Sequence, residues 1–425
     1  MVEKTILDSG LVIISEYRPE FLSFALSYSV RSGSRAESIE TNGFHHFVEH
    51  MMFKGSEKYD LKKIADISDK LGGSLNAFTG KEISQYYIKA IDGKLKESFD
   101  LLTDIVIGSS FPESEFKNEK NVVLQEIKEY DDDPDTFAFE RFYEIVFGDN
   151  GLAFPIAGKE DQVAGFSRNM INDFYKKTYL PSKLLLASVG KVEHGDLVKA
   201  AEQAFAGFPA KSCEDFRFDK PGFHFRSFAK KNRSLKQVYA LLGFAGIPSE
   251  SELKYKFMVM TDILGGGMSS RLFQAIREEK GLAYTVNSFL DSYLDCGIHI
   301  IYAIIEPGKT VDYFDAVQQE IEKLKKFGVT KEELERAKDH IKSSLILGIE
   351  SNVSKMNFNI KQELFLGREL HMDEIVANID RVTADDIDRL FNDYLNLQET
   401  AIFLYGNITE KKFPAASLLN ACDFL

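Results

Sequence analysis

The sequence predicts an α+β protein of two similar domains, each a mixed, mostly antiparallel sheet packed with helices. Strand-like alternation and helix-like segments intermingle in both halves. The second half also repeats the segment order of the first. The length, 425 residues, exceeds what one ordinary core organises.

In the first half, residues 24–30 alternate as a strand, and a short apolar helix through His50 follows. Residues 72–79 form a strand marked by Gly72 and Gly73, and residues 85–90 supply the next. A long helix is expected from about Pro112 to Tyr130, with proline near the first turn, where a helix start accepts it. Further helices run through Phe147. The half closes on a helix at 171–179 and an apolar strand at 184–189 ending at Gly190.

The second half reads as strand 237–244, helix 254–263, a glycine turn at 265–267, strands near 283–288 and 297–305, and long helices up to Leu366. It closes with a helix at 387–394, a strand at 401–405 and Gly406. Tyr179 is matched with Tyr394 and Gly190 with Gly406. Pro209, Pro221, Gly222 and the basic cluster Lys230, Lys231 and Arg233 interrupt the periodicity between the halves. Domains are therefore expected at 1–210 and 233–425, joined by a connector at 211–232.

Composition narrows the class. A net charge of −14 without a Lys/Arg stripe interleaved with aromatics argues against nucleic acid as a partner. The longest apolar runs, such as 184–187 and 300–305, suit buried strands and are far too short to span a membrane. No export signal or transit peptide is visible at the N-terminus, so cytoplasm is the expected compartment. Cys213, Cys296 and Cys422 are odd in number and widely spaced, which fits a reducing compartment and gives no metal-ligand spacing. Phenylalanine is abundant, 35 residues against no tryptophan, and reads as core filling.

Three of the eight histidines fall between His45 and His50. On a helix His46 and His50 stack one turn apart on one face, where two imidazoles can share a Zn²⁺. Glu49, at the edge of that face, can reach a water on the metal. The H-x-x-E-H order reverses the commoner H-E-x-x-H. His45 points about 100° away and is expected to be a satisfied or surface histidine. A catalytic zinc takes three protein ligands and keeps one position open, so a third must come from elsewhere. The helix from Pro112 carries Glu119 and Glu126 two turns apart among Val122, Val123, Leu124 and Ile127. A carboxylate within such a packed face needs a partner. Glu126 is assigned as the third ligand, and Glu119 as the acceptor that holds a ligand histidine's other N–H.

Other features have plainer readings. His194, His224, His299, His340 and His371 are isolated and read as structural. No G-K-[ST] follows Gly265-Gly266-Gly267, so no phosphate loop is indicated. Asp131, Asp132, Asp133 and Asp135 read as a solvated helix end. A purely structural zinc site would close with four ligands, usually including cysteine. The half that lacks a histidine pair implies one metal site per chain.

The set His46, Glu49, His50, with Glu126 in Val122-Val123-Leu124-Gln125-Glu126-Ile127, resembles the inverzincin peptidases. These include pitrilysin, insulin-degrading enzyme and the mitochondrial and bacterial processing peptidases. The resemblance covers nearly the whole chain, including residues 72–79, 179–190 and the run from Arg271 to Tyr284, and it fits the short-chain processing-peptidase branch. It implies a zinc endopeptidase, one Zn²⁺ per chain, in which two chains close as a clamshell around a chamber. His46, His50 and Glu126 would hold the metal, and Glu49 would activate water. The strand at Asn76, Ala77 and Phe78 would bind the peptide backbone by β-augmentation, while Arg277 and Tyr284 would reach the bound peptide. The glycine turn at 265–267 is short, unlike the extended loop of non-catalytic processing subunits, which leaves a homodimer as the expectation. The alternatives are a heterodimer with a related chain and, for function, a non-catalytic scaffold subunit.

Overall fold

The computed structural model describes residues 1–212, 218–411, 413, 418–419 and 422–424, so Cys213 and part of the expected connector lie outside the described residues. The first sheet contains β1 (Glu3–Ile6), β2 (Val12–Tyr17), β3 (Ser23–Val30), β4 (Ser74–Thr79), β5 (Ser84–Ile91) and β6 (Leu184–Gly190), in the order β1-β2-β6-β3-β5-β4. Only β2 and β6 run parallel. Helices α1 (Phe44–Met52), α2 (Leu61–Leu71), α3 (Leu95–Ile107), α4 (Glu113–Asp132), α5 (Pro134–Phe147), α6 (Glu160–Ala164), α7 (Arg168–Thr178) and α8 (His194–Phe205) complete this part of the chain.

The second sheet contains β7 (Ser227–Lys231), β8 (Val238–Ala245), β9 (Ala283–Ser292), β10 (Gly297–Ile305), β11 (Ala401–Gly406) and β12 (Asp423–Phe424), in the order β12-β7-β11-β8-β10-β9. Here β7 runs parallel to β11 and β12, and the remaining pairs are antiparallel. Its helices are α9 (Lys254–Gly265), a π-helical turn at Phe273–Glu279, α10 (Thr310–Phe327), α11 (Lys331–Gly348), α12 (Asn352–Leu366), α13 (Met372–Asp380) and α14 (Ala384–Tyr394). The α+β class with mixed, mostly antiparallel sheets is thus observed. No described helix is long and apolar enough to cross a membrane.

The strand order of one sheet maps onto the other, β2-β6-β3-β5-β4 onto β7-β11-β8-β10-β9. The backbone repeats in detail. Gly190 ends β6 at φ +125° and Gly406 ends β11 at φ +139°, and a Cβ at either would strike the Ser23 or Gln237 carbonyl oxygen at 2.4 or 2.2 Å. Only glycine tolerates that combination of left-handed φ and close approach. Helices α7 and α14 are both 11 residues long and begin after the capping hydroxyls Ser167 and Thr383. Tyr179 ends α7 at φ −93°, ψ 56°, and Leu395 ends α14 at φ −95°, ψ 57°. The partner of Tyr179 is therefore Leu395, one position beyond the expected Tyr394.

The chain forms two compact units that are not contiguous in sequence. The first comprises Met1–Glu129, Phe154–Phe218 and Gly348–Glu369; the second comprises Tyr130–Ala153, Asp219–Leu347 and Leu370–Leu425. Each sheet takes a covering helix from the other half of the chain. In the first unit Met356, Ile360 and Leu364 of α12 pack on Val12, Ile14, Ala25, Leu185, Ala187 and Val189. In the second, α5 packs on β8 and β11. The division differs from the expected boundaries because an apolar helix stripe can cover any sheet face within reach of its linkers. Ser227–Lys231 of the expected connector forms β7, whose only fully buried residue is Ala229, so no apolar alternation marks it.

Candidate metal centre

The metal motif sits on α1. Its N-cap, Gly43, offers no side chain, and the buried carboxylate of Glu37 takes over the capping. One Glu37 oxygen accepts the Gly43 N–H (2.8 Å) and the Asn42 amide (3.1 Å). The other accepts the His45 N–H (2.8 Å), so a negative charge meets the helix N-terminus. His45 is the satisfied histidine expected, with its ring nitrogens 2.8 Å from Glu37 Oε1 and 2.8 Å from Ser32 Oγ.

Burial of Phe47, Val48, Met51 and Met52 orients α1 and leaves Glu49 and His50 partly exposed, with His46 buried beside them. Phe47 packs on Phe116 of α4 with ring centroids 5.0 Å apart. The buried stripe of α4 is Phe116, Glu119, Val123 and Ile127, a helical spacing directed at that contact. The same helix thereby carries Glu119 and Glu126 to the histidines. The burial expected for Glu126 belongs instead to Glu119: their side chains are 26% and 7% exposed. Val122, expected to pack, is exposed.

The structure brings the three predicted ligands together. His46 Nε2 lies 3.6 Å from Glu126 Oε1, and His50 Nε2 lies 3.2 Å from Glu126 Oε2. The two imidazole centroids are 4.6 Å apart, and all three donor atoms lie within 4.8 Å of one another. Tetrahedral zinc with bonds near 2.0–2.1 Å separates its donors by about 3.3 Å, so these residues fit the ion with small adjustments. No other group of this kind occurs among the described residues. Glu119 Oε1 lies 2.8 Å from His50 Nδ1, as an acceptor for the ring's second N–H, and Glu119 Oε2 receives Lys54 Nζ at 2.8 Å. Burial works against protonation of His50, yet hydrogen bonds and charges from Glu119 and Glu126 raise it to about 9. Glu119 is lowered: burial opposes this, and the bonds from His50 and Lys54 prevail.

Glu49 accepts a hydrogen bond from the Thr79 hydroxyl at the end of β4. Among the described residues that strand is the sheet edge, paired with β5 alone. Asn76 and Phe78 are exposed on one of its faces and Ala77 is partly covered on the other. Asn76 Oδ1 accepts the Ala77 N–H at 2.8 Å. Arg277 and Tyr284 belong to the second unit and lie beside each other. The guanidinium of Arg277 is 4.8 Å from the Phe273 ring centroid and 5.5 Å from that of Tyr284, which is 71% exposed. Elsewhere His194 bridges Thr5 and Ser15, His299 meets Ser288 and His340 meets Asp262.

Sequence reasoning missed Lys54, Thr79 and Glu37. Lys54 falls four positions after His50, and Thr79 falls two after Ala77 on one strand face, so periodicity offered a signal for both. Glu37 reaches its helix from a loop, and no spacing announces it.

A duplicated sandwich whose first copy alone presents an inverted histidine–glutamate metal motif has the architecture of a metallopeptidase. Similarity to known proteins sharpens that class. Residues 12–160 match the insulinase (peptidase family M16) profile, and residues 165–341 match the peptidase M16 inactive domain. An uncharacterized zinc protease of Bacillus subtilis is 36% identical over 92% of this chain and 95% of its own. One from Streptomyces coelicolor is 32% identical over 97% of this chain and 91% of its own. Two crystal structures share the fold, each with a TM-score of 0.88 and 20% identity. One, a peptidase M16 inactive domain from Pseudomonas fluorescens, covers 97% of this chain and 100% of its own. The other, a protease from Helicobacter pylori, covers 96% and 99%. The chain belongs to the M16, pitrilysin-like peptidase family, and zinc is the metal named among its relatives.

Proposed function

We propose that this chain is a zinc-dependent endopeptidase acting on peptides or unfolded segments in extended form, with Glu49 as general base. The observation that carries the reading is the convergence of His46, His50 and Glu126 at zinc-like spacing, with Glu49 on the same helix face. Bound there, zinc supplies Lewis acidity and draws the pKa of water toward neutrality. Glu49 takes the proton from the attacking water and passes it to the leaving amine nitrogen. Glu119 orients His50 through Nδ1. The free edge of β4 at Asn76, Ala77 and Phe78 receives the peptide backbone as an added strand, displacing the Asn76 side chain from the Ala77 N–H. Arg277 or Tyr284 hydrogen-bonds the developing oxyanion or a nearby carbonyl. The working assembly is a homodimer enclosing a chamber, in the cytoplasm.

The rival reading, a scaffold subunit, gives no reason to keep both imidazoles and all three glutamates in register. The test is cleavage of a quenched fluorescent peptide. Chelation should abolish turnover and zinc should restore it, while Glu49→Gln should keep the metal and lose at least about 100-fold in kcat. Turnover by zinc-loaded Glu49→Gln at the wild-type rate would remove Glu49 from this role.

A further inference from the structure

The carboxylate of Glu49 has one hydrogen-bond partner among the described residues, the Thr79 hydroxyl, which donates to Oε2. Nothing in the metal chemistry requires this contact. A glutamate side chain turns about three bonds, and an unheld carboxylate samples several rotamers and exchanges its two oxygens. A hydroxyl bonded to one oxygen of an anion is a strong, charge-assisted restraint. It leaves Oε1 as the free oxygen.

The position of Thr79 gives the restraint a second consequence. Strand β4 alternates along its length, with Ser74, Asn76 and Phe78 exposed and Leu75, Ala77 and Thr79 partly covered. Helix α1 packs on this strand. Thr79 therefore shares a strand face with Ala77, two residues along the edge proposed to receive the peptide. The element that would align the scissile bond is the one that holds the base.

We propose that Thr79 is a positioning residue: it fixes the Glu49 carboxylate so that Oε1 meets the attacking water, and it ties that geometry to the substrate-binding strand. The proposal rests on the reading of Glu49 as base. Thr79→Val keeps the β-branch and nearly the volume but removes the donor; Thr79→Ser keeps the donor and removes a methyl. Because a misplacement of about 1 Å costs on the order of 100-fold, Thr79→Val should lose about 10- to 100-fold in kcat. KM should stay within about twofold and zinc content should stay at the wild-type level, since neither a metal ligand nor the backbone of the strand edge is altered. Thr79→Ser should keep most of kcat. A Thr79→Val enzyme with wild-type kcat overturns the proposal, and so does a Thr79→Ser enzyme impaired as badly as Thr79→Val, which would make packing the cause.

A second measurement needs no turnover. In zinc-free protein Thr79→Val should lower Tm by about 2–4 °C, and this loss should vanish in a Glu49→Leu background. Additive losses would mean that the two side chains do not interact, and would equally overturn the proposal. An active Glu49→Gln enzyme would instead defeat the base reading, and with it the role given to Thr79, while the coupling in zinc-free protein persisted. The two failures are distinguishable.

Discussion

Helices α1 and α9 follow corresponding strands, β3 and β8, and from each a histidine–carboxylate hydrogen bond reaches a later long helix. In the first unit the imidazole stands on the short helix: His50 of α1 meets Glu119 of α4 at 2.8 Å. In the second the types are exchanged, and Asp262 of α9 meets His340 of α11 at 2.6 Å. Burial raises Asp262, while its bond to His340 opposes that shift. The bridge between helices thus occurs in both units, but only α1 adds a second imidazole four residues earlier and only α4 adds a carboxylate seven residues later. A metal centre in this fold is a local addition to a repeated scaffold. The scaffold brings two helices together, and two further side chains decide whether the meeting point can take an ion.

The largest expected effect follows from that difference. His50→Ala should reduce tightly held zinc from one per chain to none, whereas His340→Ala should leave it at one, because the Asp262–His340 pair lacks a third donor among the described residues. Elemental analysis after dialysis against a weak chelator reads both. Zinc lost equally from the two variants would mean that the second bridge is also a ligand pair.

Acid should separate the units next. His299 of β10 is fully buried, with Nε2 2.7 Å from Ser288 Oγ and the rings of Phe244 and Phe257 nearby. Burial lowers it from 6.5 to about 3. Above pH 6.5 the imidazole is neutral in the folded and unfolded chain alike, so it contributes nothing to pH dependence. Below 6.5 the unfolded chain takes up a proton that the fold refuses, and stability falls toward pH 3. The slope is about 1.4 kcal/mol per pH unit, or about 2 kcal/mol lost at pH 5. In the zinc-free first unit His50 acts with the opposite sign. Its folded value, near 9, lies above the unfolded one, so its contribution is full below 6.5 and fades as pH rises through 9. Urea midpoints at pH 7 and pH 5 test the first statement: His299→Gln should flatten the loss in the second unit. An unchanged slope would show that other groups carry it.

How much of this was legible in the sequence depends on how local each cause is. The H-x-x-E-H face was legible because two imidazoles one turn apart need only a helix. Strands β3, β5, β6, β8 and β10 were legible because alternation or unbroken apolar runs reflect the burial of a sheet face. Glu126 was found for a partly mistaken reason, since the buried carboxylate of α4 is Glu119 and Glu126 stands at the edge of the packed stripe. The exchange of α5 and α12 between units was not legible, because an amphipathic stripe does not say which sheet it covers. β7 escaped as well, since its partners β11 and β12 lie far along the chain and its own residues are mostly polar. Lys54 and Thr79 had the right spacing, but spacing acquires meaning only when the other helix or strand is in place.

The smallest effect tests how far the repeat is energetic as well as geometric. Ser167 Oγ accepts the Met170 N–H at 3.3 Å and makes a one-way cap on α7. Thr383 Oγ1 accepts the Asp386 N–H at 3.2 Å while Asp386 Oδ2 accepts the Thr383 N–H at 3.1 Å, closing a reciprocal box on α14. The helices are equal in length and occupy the same place in each unit, so the comparison isolates the second bond of the Thr383 hydroxyl, donated to Asp386 Oδ2 at 2.9 Å. Ser167→Ala should cost about 0.5–1 kcal/mol and Thr383→Ala about 1–2 kcal/mol, because the latter removes both bonds of the Thr383 hydroxyl, the one accepted from the Asp386 N–H and the one donated to Asp386 Oδ2. Amide exchange in the first turns of α7 and α14 measures each locally, without requiring the units to unfold separately. Equal or reversed costs would mean that the hydroxyl bond to Asp386 adds nothing to the cap.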